Sequence, residues 1–442
     1  MTTSNKRGFM MQISTKLLLS LLMIFLLVSP VADARSPVEI ANEQGKQIGE
    51  QYEPHGTIVI AQKNGQILYA DDPSTQWPPA SMSKLMTIYL VYEAMDQGKF
   101  TKQTTVKVNE KFYDISRLPM LSNNHFRLGA TYTVDELLQT ALTASSNSAT
   151  YMLSSLVYKD DTKFIDLMNK TAKALHMTET HFYNPVGAPN NLMLQYKAKG
   201  YPQDEDNISS AKDYAILTHQ LLKKHPDILH YTRKPVVTVK KGTEYEETFH
   251  TYNHSLEGAK LGYKGVDGLK TGSSDTAGFN TTLTGKKKEL RIILVMMGVM
   301  DWYDPPAEFN RNIMANAIMD DVYARYSFKK VLTKGKHKVG DREVYVYNDL
   351  YDLVDHKTKG TLKYRNGEVH YDYQRQFIDA GYQPPTVKYE DYQRYAMRKF
   401  INDNYGWIIG GITLSILSGI LLMIYALKPH LFRDLWNQEN QK

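Results

Sequence analysis

The sequence predicts an α+β fold: an antiparallel sheet with helices packed on it, then a small β-rich domain and a terminal apolar helix. Three observations predict it. Strand-type runs stand at both ends of the stretch 57–299, with helical periodicity between them. From about Tyr326 to Pro385, short β-type runs alternate with turns. Trp407 to Leu427 then runs without a charged residue.

Taken in order, the chain opens with a secretion signal. Lys6, Arg7 and Lys16 form a basic region, Leu17 to Val28 an apolar core, and Ala32-Asp33-Ala34 a small-x-small cleavage pattern. A start at Met10 or Met11 would leave a more compact signal. The apolar core is short for a bilayer span, so cleavage is expected over an uncleaved anchor, and residues 1–34 are assigned to the signal.

Thr57 to Gln62 and Gln66 to Ala70, joined through Asn64-Gly65, make a β-hairpin, because Asn-Gly tolerates the positive φ of a tight turn. Ser81 to Met95 is helical, with Leu85, Tyr89 and Tyr92 on one stripe. Thr133 to Glu136 is a capping box that opens a helix through Leu142, and Ala211 to Lys223 is a further helix. Strands return at Val266 to Thr271, Phe279 to Thr284 and Leu290 to Val299. Pro305-Pro306 starts a helix through Ala324, with Met314, Ile318 and Val322 at four-residue spacing. These elements make a main domain over 35–325.

The β-rich domain spans 326–388. Its runs are Val344 to Tyr347, Leu362 to Tyr364 and Val369 to Tyr371, with Asn366-Gly367 as a turn. Residues 389–405 mix Tyr, Arg and Lys with Met397, Phe400 and Ile401. A helix lying in lipid headgroups is one reading and a solvated linker helix the other. Residues 407–427 are long enough to cross a bilayer, and Trp407 and Tyr425 stand near the two ends, where an aromatic belt forms. A buried core helix is the alternative. Lys428, His430 and Arg433 follow, so the positive-inside rule puts the tail, 428–442, in the cytoplasm and the body outside.

Composition narrows the chemistry. A chain of 442 residues has room for two or three domains, and 42% apolar with 23% charged residues is ordinary for a globular protein. The net charge of +6 is spread along the chain, without the basic arm that grips nucleic acid. The absence of cysteine excludes disulfides, thiolate catalysis and cysteine-rich zinc sites.

Three short motifs carry chemistry. In Ser81-Met82-Ser83-Lys84, residues i and i+3 share a helix face, which brings the Lys84 amine to the Ser81 hydroxyl. A neutral lysine can take the serine proton and leave a nucleophilic oxygen. Ser209 to Lys212 and Ser327 to Lys330 match the same pattern by chance, so alone it is weak. In Ser145-Ser146-Asn147, a serine can relay a proton and an asparagine can hold a substrate carbonyl, although Ser122-Asn123-Asn124 matches too. Lys270-Thr271-Gly272 occurs once. It offers a positive charge, a hydroxyl for a carboxylate, and a glycine that lets substrate approach a strand edge. Read alone, each motif is equally a helix start, a loop turn or a strand end. Ser-x-x-Lys, Ser-x-Asn and Lys-Thr-Gly in that order are the set used by penicillin-binding proteins and class A β-lactamases.

On these residues the chain resembles the low-molecular-mass penicillin-binding proteins, the serine-type D-alanyl-D-alanine carboxypeptidases. The likeness extends to Pro79 to Thr87, Gly268 to Ser273, Thr180 to Pro185 and Ser209 to Ala215, and covers roughly Val38 to Ala324. The length and transmembrane ending are most similar to the Gram-positive "penicillin-binding protein four" type, whose members can also act as transpeptidases. The resemblance implies a β-lactamase/transpeptidase-like sheet with helices. It implies a peptidoglycan stem peptide ending in D-Ala-D-Ala as substrate, β-lactams as covalent inhibitors, and no cofactor or metal.

The resemblance also implies roles. Ser81 is the nucleophile and Lys84 the base, with Lys270 near enough to keep one amine neutral. The backbone N–H groups of Ser81 and Ser273 form an oxyanion hole. Ser145 and Asn147 assist proton transfer and hold substrate, Thr271 and Ser273 meet the terminal carboxylate, and Gly272 lets substrate approach. Arg311 is either a second carboxylate partner or a solvated helix arginine. The chain departs from the family in having Ser146 at the centre of the second motif, a position not expected to touch substrate. Two rival readings remain. A β-lactamase needs a second base, and no Glu-x-x-x-Asn segment lies between Asn147 and Lys270. A silent wall-binding or sensor protein on the same fold is the other.

Overall fold

The structure is a computed structural model and describes residues 35–430 together with 432, 433 and 436. The expected signal, 1–34, and most of the expected tail lie outside the described residues. The described chain divides into two compact units. The first runs to Ser327 and includes Asp355–Lys357 and Gln374–Gln383; the second is Phe328–Val354, Thr358–Tyr373 and the chain from Pro384.

The first unit is built on a five-stranded antiparallel sheet. Its strands are β1 (Gly56–Ala61), β2 (Ile67–Asp71), β3 (Val266–Ser274), β4 (Gly278–Lys287) and β5 (Leu290–Val299), in the order β2-β1-β5-β4-β3. The two chain ends thus meet in the sheet centre, as the sequence predicts, with Ile58 opposite Val295 and Lys270 opposite Thr282. β5 is a nearly unbroken apolar run because both of its faces are covered. Ile293, Val295 and Met297 join the large core on one side, while Ile292, Leu294 and Met296 alternate to the other. β3 is an edge, so its outer side is open to another strand.

Helices cover the sheet: α1 (Pro37–Glu43), α2 (Lys84–Asp96), α3 (Val134–Thr143), α4 (Asn147–Val157), α5 (Asp161–Ala174), α6 (Ala211–Lys224) and α7 (Pro305–Arg325). The Thr133–Glu136 capping box is present at α3. α6 packs on β1 and β5, and α7 packs on β4, β5 and α1. α2 differs from its expected single stripe. Leu85, Met86, Ile88, Tyr89, Leu90, Val91 and Tyr92 are all buried, because the helix runs through the core against α4 and α6. It is therefore a rigid mount for the residues just before it.

Residues Gln374–Gln383, read from sequence as part of 326–388, belong instead to the first unit. Their backbone extends the β1–β2 hairpin: Ile67 N donates to Gln376 O at 2.8 Å and Ile378 N to Gly65 O at 3.0 Å. Ile378 then enters the main core, which a strictly local reading of the segment could not show.

The second unit holds most of β6 (Tyr326–Leu332) and β9 (Leu350–Asp355), with β7 (Gly335–Val339), β8 (Arg342–Val346), β10 (Thr361–Arg365), β11 (Glu368–Asp372) and β12 (Thr386–Asp391). Five of them pair in the order β7-β8-β12-β11-β10 over a small core of Leu332, Val339, Val344, Val346, Leu350 and Val369. Tyr389, Glu390 and Asp391, expected in a juxtamembrane segment, pair with β8 in this sheet. The amphipathic helix is thereby confined to α8 (Tyr392–Asp403), which stacks Tyr395 on Tyr345 at 3.5 Å. α9 (Tyr405–Leu427) follows, exposed along nearly its whole length and free of charged residues.

Candidate active site

Ser81 sits in a 3₁₀ turn, Ala80–Ser83, that leads into α2. In a 3₁₀ turn residues i and i+3 eclipse, which places Lys84 Nζ 2.7 Å from Ser81 Oγ. Ala80 holds a positive φ of 47°, a strained conformation for a residue with a Cβ. Lys84 is fully buried, and its amine also donates to the Val186 carbonyl at 3.0 Å. Burial, and then the nearby Lys270, push its pKa well below the ordinary lysine value.

Ser145, φ 57°, closes α3 and directs its hydroxyl at the second lysine: Lys270 Nζ donates to Ser145 Oγ at 2.9 Å and to Thr271 O at 2.8 Å. Burial, and then the Arg311 charge, lower the Lys270 pKa to about 7. Ser146 faces away from these groups. It caps α4 by accepting from Ala149 N and donates to Asn124 Oδ1 at 2.7 Å. Asn147 lines the cleft with its Oδ1 buried and unpartnered.

Gly272 brings β3 against the Ala80–Ser83 turn. A Cβ there would stand 2.3 Å from Pro79 O and 3.1 Å from Ser81 N, a distance only glycine permits. The backbone N–H groups of Ser81 and Ser273 are thereby carried on two chain segments in direct contact. A cleft of about 100 Å³ opens beside them, lined by Ser81, Asn147, Gly187, Ser273, Asp275 and Trp302 among others.

The structure thus brings together Ser81, Lys84, Ser145, Asn147, Lys270, Thr271, Gly272 and Ser273, from one turn, one inter-helix joint and one strand. Arg311 is placed differently. It is buried in α7, bonded to Asn280 O at 3.1 Å, Tyr252 O at 3.2 Å and Asn312 Oδ1 at 3.0 Å, and it does not line the cleft. Burial lowers its pKa to about 10, still a cation at neutral pH, so its charge reaches the site through Lys270. The chance motif matches have structural work. Ser210 caps α6, and Lys330 pairs with Asp349 at 2.5 Å. Ser122 to Asn124 brace the second motif, with Asn147 N donating to Ser122 O at 3.0 Å and Ser148 N to Asn123 Oδ1 at 3.0 Å. Sequence reasoning missed this brace, and also the loop that presents the Val186 carbonyl. The only signal for that loop was the family-like segment Thr180 to Pro185.

Comparison with known proteins agrees with this geometry. Residues 42–301 match the D-alanyl-D-alanine carboxypeptidase family of S11 peptidases, and residues 328–390 match a domain of unknown function, DUF1958. D-alanyl-D-alanine carboxypeptidase DacF of Bacillus subtilis is 29% identical over 329 residues, 73% of this chain and 76% of that protein. Among solved structures, the peptidoglycan synthesis regulatory factor PBP3 of Streptococcus pneumoniae aligns with a TM-score of 0.66 at 26% identity. That alignment covers 76% of this chain and 97% of that one. Penicillin-binding protein D2 of Listeria monocytogenes, in its ampicillin-bound form, aligns at 0.50 and 27% identity over 61% of this chain and 97% of that one. The chain belongs to the D-alanyl-D-alanine carboxypeptidase family, and it is a low-molecular-mass penicillin-binding protein of the serine type.

Proposed function

We propose that Ser81 and Lys84 carry the peptidase reaction on peptidoglycan stem peptides ending in D-Ala-D-Ala. The observation that carries this reading is the 2.7 Å contact between a serine and a buried lysine whose pKa is pushed well below the ordinary lysine value by burial and then by Lys270. Lys84 Nζ takes the Ser81 Oγ proton as the oxygen attacks the carbonyl between the two D-alanines. The Ser81 and Ser273 N–H groups receive the oxyanion, and each such donor is worth about 10²–10³ in rate. The proton passes to the leaving amine through Ser145, which Lys270 orients. D-alanine departs, and water or a peptide amine resolves the ester, giving carboxypeptidase or transpeptidase action. Thr271 and Ser273 meet the substrate carboxylate, and Arg311 supports that anion from behind the sheet.

A β-lactam presents its ring carbonyl to the same serine, and the ampicillin-bound relative supports this reading. Export and anchoring complete the proposal: residues 1–34 direct secretion, α9 (about 34 Å long) crosses the membrane, and the catalytic unit works outside.

The test is intact-mass spectrometry with penicillin, beside Ser81→Ala. A long-lived single adduct on the wild type, absent from the variant, is expected. Rapid penicillin loss without an adduct favours a β-lactamase, and neither adduct nor turnover sinks the enzyme reading.

A further inference from the structure

We propose that Asn184 and Asn207 are positioning residues for Lys84, acting through the carbonyl of Val186. The inference rests on the reading of Lys84 as the acceptor of the Ser81 proton. A neutral amine has two N–H bonds and one lone pair. To accept a proton, its lone pair must face Ser81 Oγ, so another group must hold an N–H elsewhere. The group that does so is Val186 O, 3.0 Å from Lys84 Nζ. The aim of the lone pair therefore depends on where that one carbonyl stands.

Two buried asparagines fix its place. Asn184 Oδ1 accepts from Val186 N at 3.1 Å and Gly187 N at 2.6 Å. Its Nδ2 donates to Ala188 O at 2.9 Å and Asn190 Oδ1 at 3.0 Å. Asn207 Oδ1 accepts from Tyr183 N at 2.7 Å and Asn184 N at 3.0 Å. Its Nδ2 donates to Asn184 O at 3.0 Å and to Ser83 Oγ at 2.8 Å. Every donor and acceptor of both amides is used, so neither side chain has a second arrangement of equal energy.

The loop is also moulded onto the nucleophile turn. Thr87 Oγ1 donates to Pro185 O at 2.6 Å. A Cβ on Gly187, φ 72°, would stand 1.9 Å from Ala80 O and 2.4 Å from Ser83 Oγ. The Asn207–Ser83 bond thus ties the loop to the residue beside Lys84 itself. A purely structural brace needs no carbonyl aimed at the base, and here the loop delivers one.

The pH consequence has a definite sign. A hydrogen bond to the ammonium favours the charged form, so losing the carbonyl lowers the Lys84 pKa further. Lys270 on β3 is the charge acting on Lys84, and Arg311 of α7 acts on Lys270. On α6, Tyr214 faces Ser83, and Asp213 bonds Thr180 and Glu179. None of these groups is altered by Asn184→Ala or Asn207→Ala.

The experiment uses the full chain in detergent. The second-order rate of Ser81 acylation by a fluorescent penicillin is followed from pH 5 to 10 for wild type, Asn184→Ala and Asn207→Ala. Asn169→Ala is the structural control, since that amide braces Phe182 N and O at the start of the loop and makes no bond to Asn184, Val186 or Gly187. In the two test variants the plateau is expected to fall at least tenfold, and the acid limb to move to lower pH by about half a unit or more. The control is expected to melt earlier with its limb unmoved. A limb that stays in place in folded Asn184→Ala and Asn207→Ala overturns the proposal, whatever happens to the plateau. If neither variant folds, Ser83→Ala removes the Asn207 tether together with the hydroxyl that faces Tyr214, and Tyr214→Phe is the control for the second loss. A shift in the same direction supports the proposal, and an unchanged profile overturns it. A wild type that takes no label at all defeats the underlying reading of Ser81 and Lys84, a result separate from an unmoved limb.

Discussion

Gly272→Ala adds one methyl group and tests how closely β3 must approach the nucleophile turn. The backbone at Gly272 is not in the left-handed region, so alanine carries no conformational penalty there, and the whole effect is steric. The new Cβ would meet Pro79 O at 2.3 Å, Met82 N at 3.0 Å and Ser81 N at 3.1 Å. The first contact lies more than 1 Å inside the roughly 3.5 Å at which non-bonded atoms attract. All three neighbours are backbone, so no flexible side chain can swing aside. The strand and the turn must separate by about 1 Å, and a misplacement of that size in a reacting constellation costs about 100-fold. Because the Ser81 and Ser273 N–H groups ride on the two surfaces being separated, the loss should reach about 10²–10³. Overpacking should also cost about 1–3 kcal/mol of stability. The assay is the second-order rate of penicillin acylation, with a thermal melt on the same preparation. A folded Gly272→Ala that acylates within about threefold of wild type would refute the idea that this contact sets the oxyanion geometry.

Other perturbations give distinct signatures. Asn147→Ala removes a buried, unpartnered oxygen, so D-alanine release should fall at least tenfold while the melting temperature holds or rises slightly. Peptide kinetics beside a melt will check this. The fold lowers the Lys270 pKa to about 7, against about 10.4 for a free lysine, so between those values the folded state binds fewer protons than the unfolded chain. The stability of wild type relative to Lys270→Met should therefore rise with pH from about 7 to about 10; denaturant titrations that keep the difference flat would contradict the shift. Deleting Tyr405–Leu427 should move the protein from the membrane pellet to the supernatant on fractionation of producing cells, and a deletion that stays in the pellet would locate the tether elsewhere.

How much of this was legible in the sequence depended on range. The β1–β2 hairpin, the three late strands and α7 announce themselves through local period and turn chemistry, and the structure places them within a few residues of the expected bounds. The strand pairing followed because runs at both ends of the region must find partners. Interactions that depend on distant neighbours were not legible. The Leu85, Tyr89 and Tyr92 stripe could not reveal that α2 is buried on every side, since burial is set by α4 and α6. Gln374–Gln383 pairs through main-chain atoms, which leave little trace in side-chain pattern. Ser81, the two lysines and the second motif were readable because the proposed chemistry depends on side-chain identity. The Val186 carbonyl was not, because any residue can supply a carbonyl. Arg311 was visible as a residue, but its place behind the sheet follows from its bonds to Asn280 O and Tyr252 O.

The site concentrates positive charge without neutralising it. Lys84, Lys270 and Arg311 are all buried, and among the described residues none of them lies within ion-pair distance of a carboxylate, although Glu308 acts on Arg311 from farther off. Their hydrogen bonds go to hydroxyls, carbonyls and the Asn312 amide. Burial and mutual repulsion lower the pKa values of both amines, which is the direction that the proposed lysine base requires. A nearby aspartate would stabilise the fold and at the same time recharge Lys84, abolishing its use as a base. The anion is therefore best brought by the ligand. On the proposed reading, a peptide with a free C-terminal carboxylate supplies it at Thr271 and Ser273, beside Lys270, and restores charge balance only while bound. The same peptide with its C-terminus amidated keeps the scissile bond and loses the anion. Its kcat/KM should fall by about two orders of magnitude or more, the cost of leaving buried charges unpaired. Equal turnover of the acid and the amide would mean that Lys270 and Arg311 serve Lys84 alone and take no part in selecting the substrate.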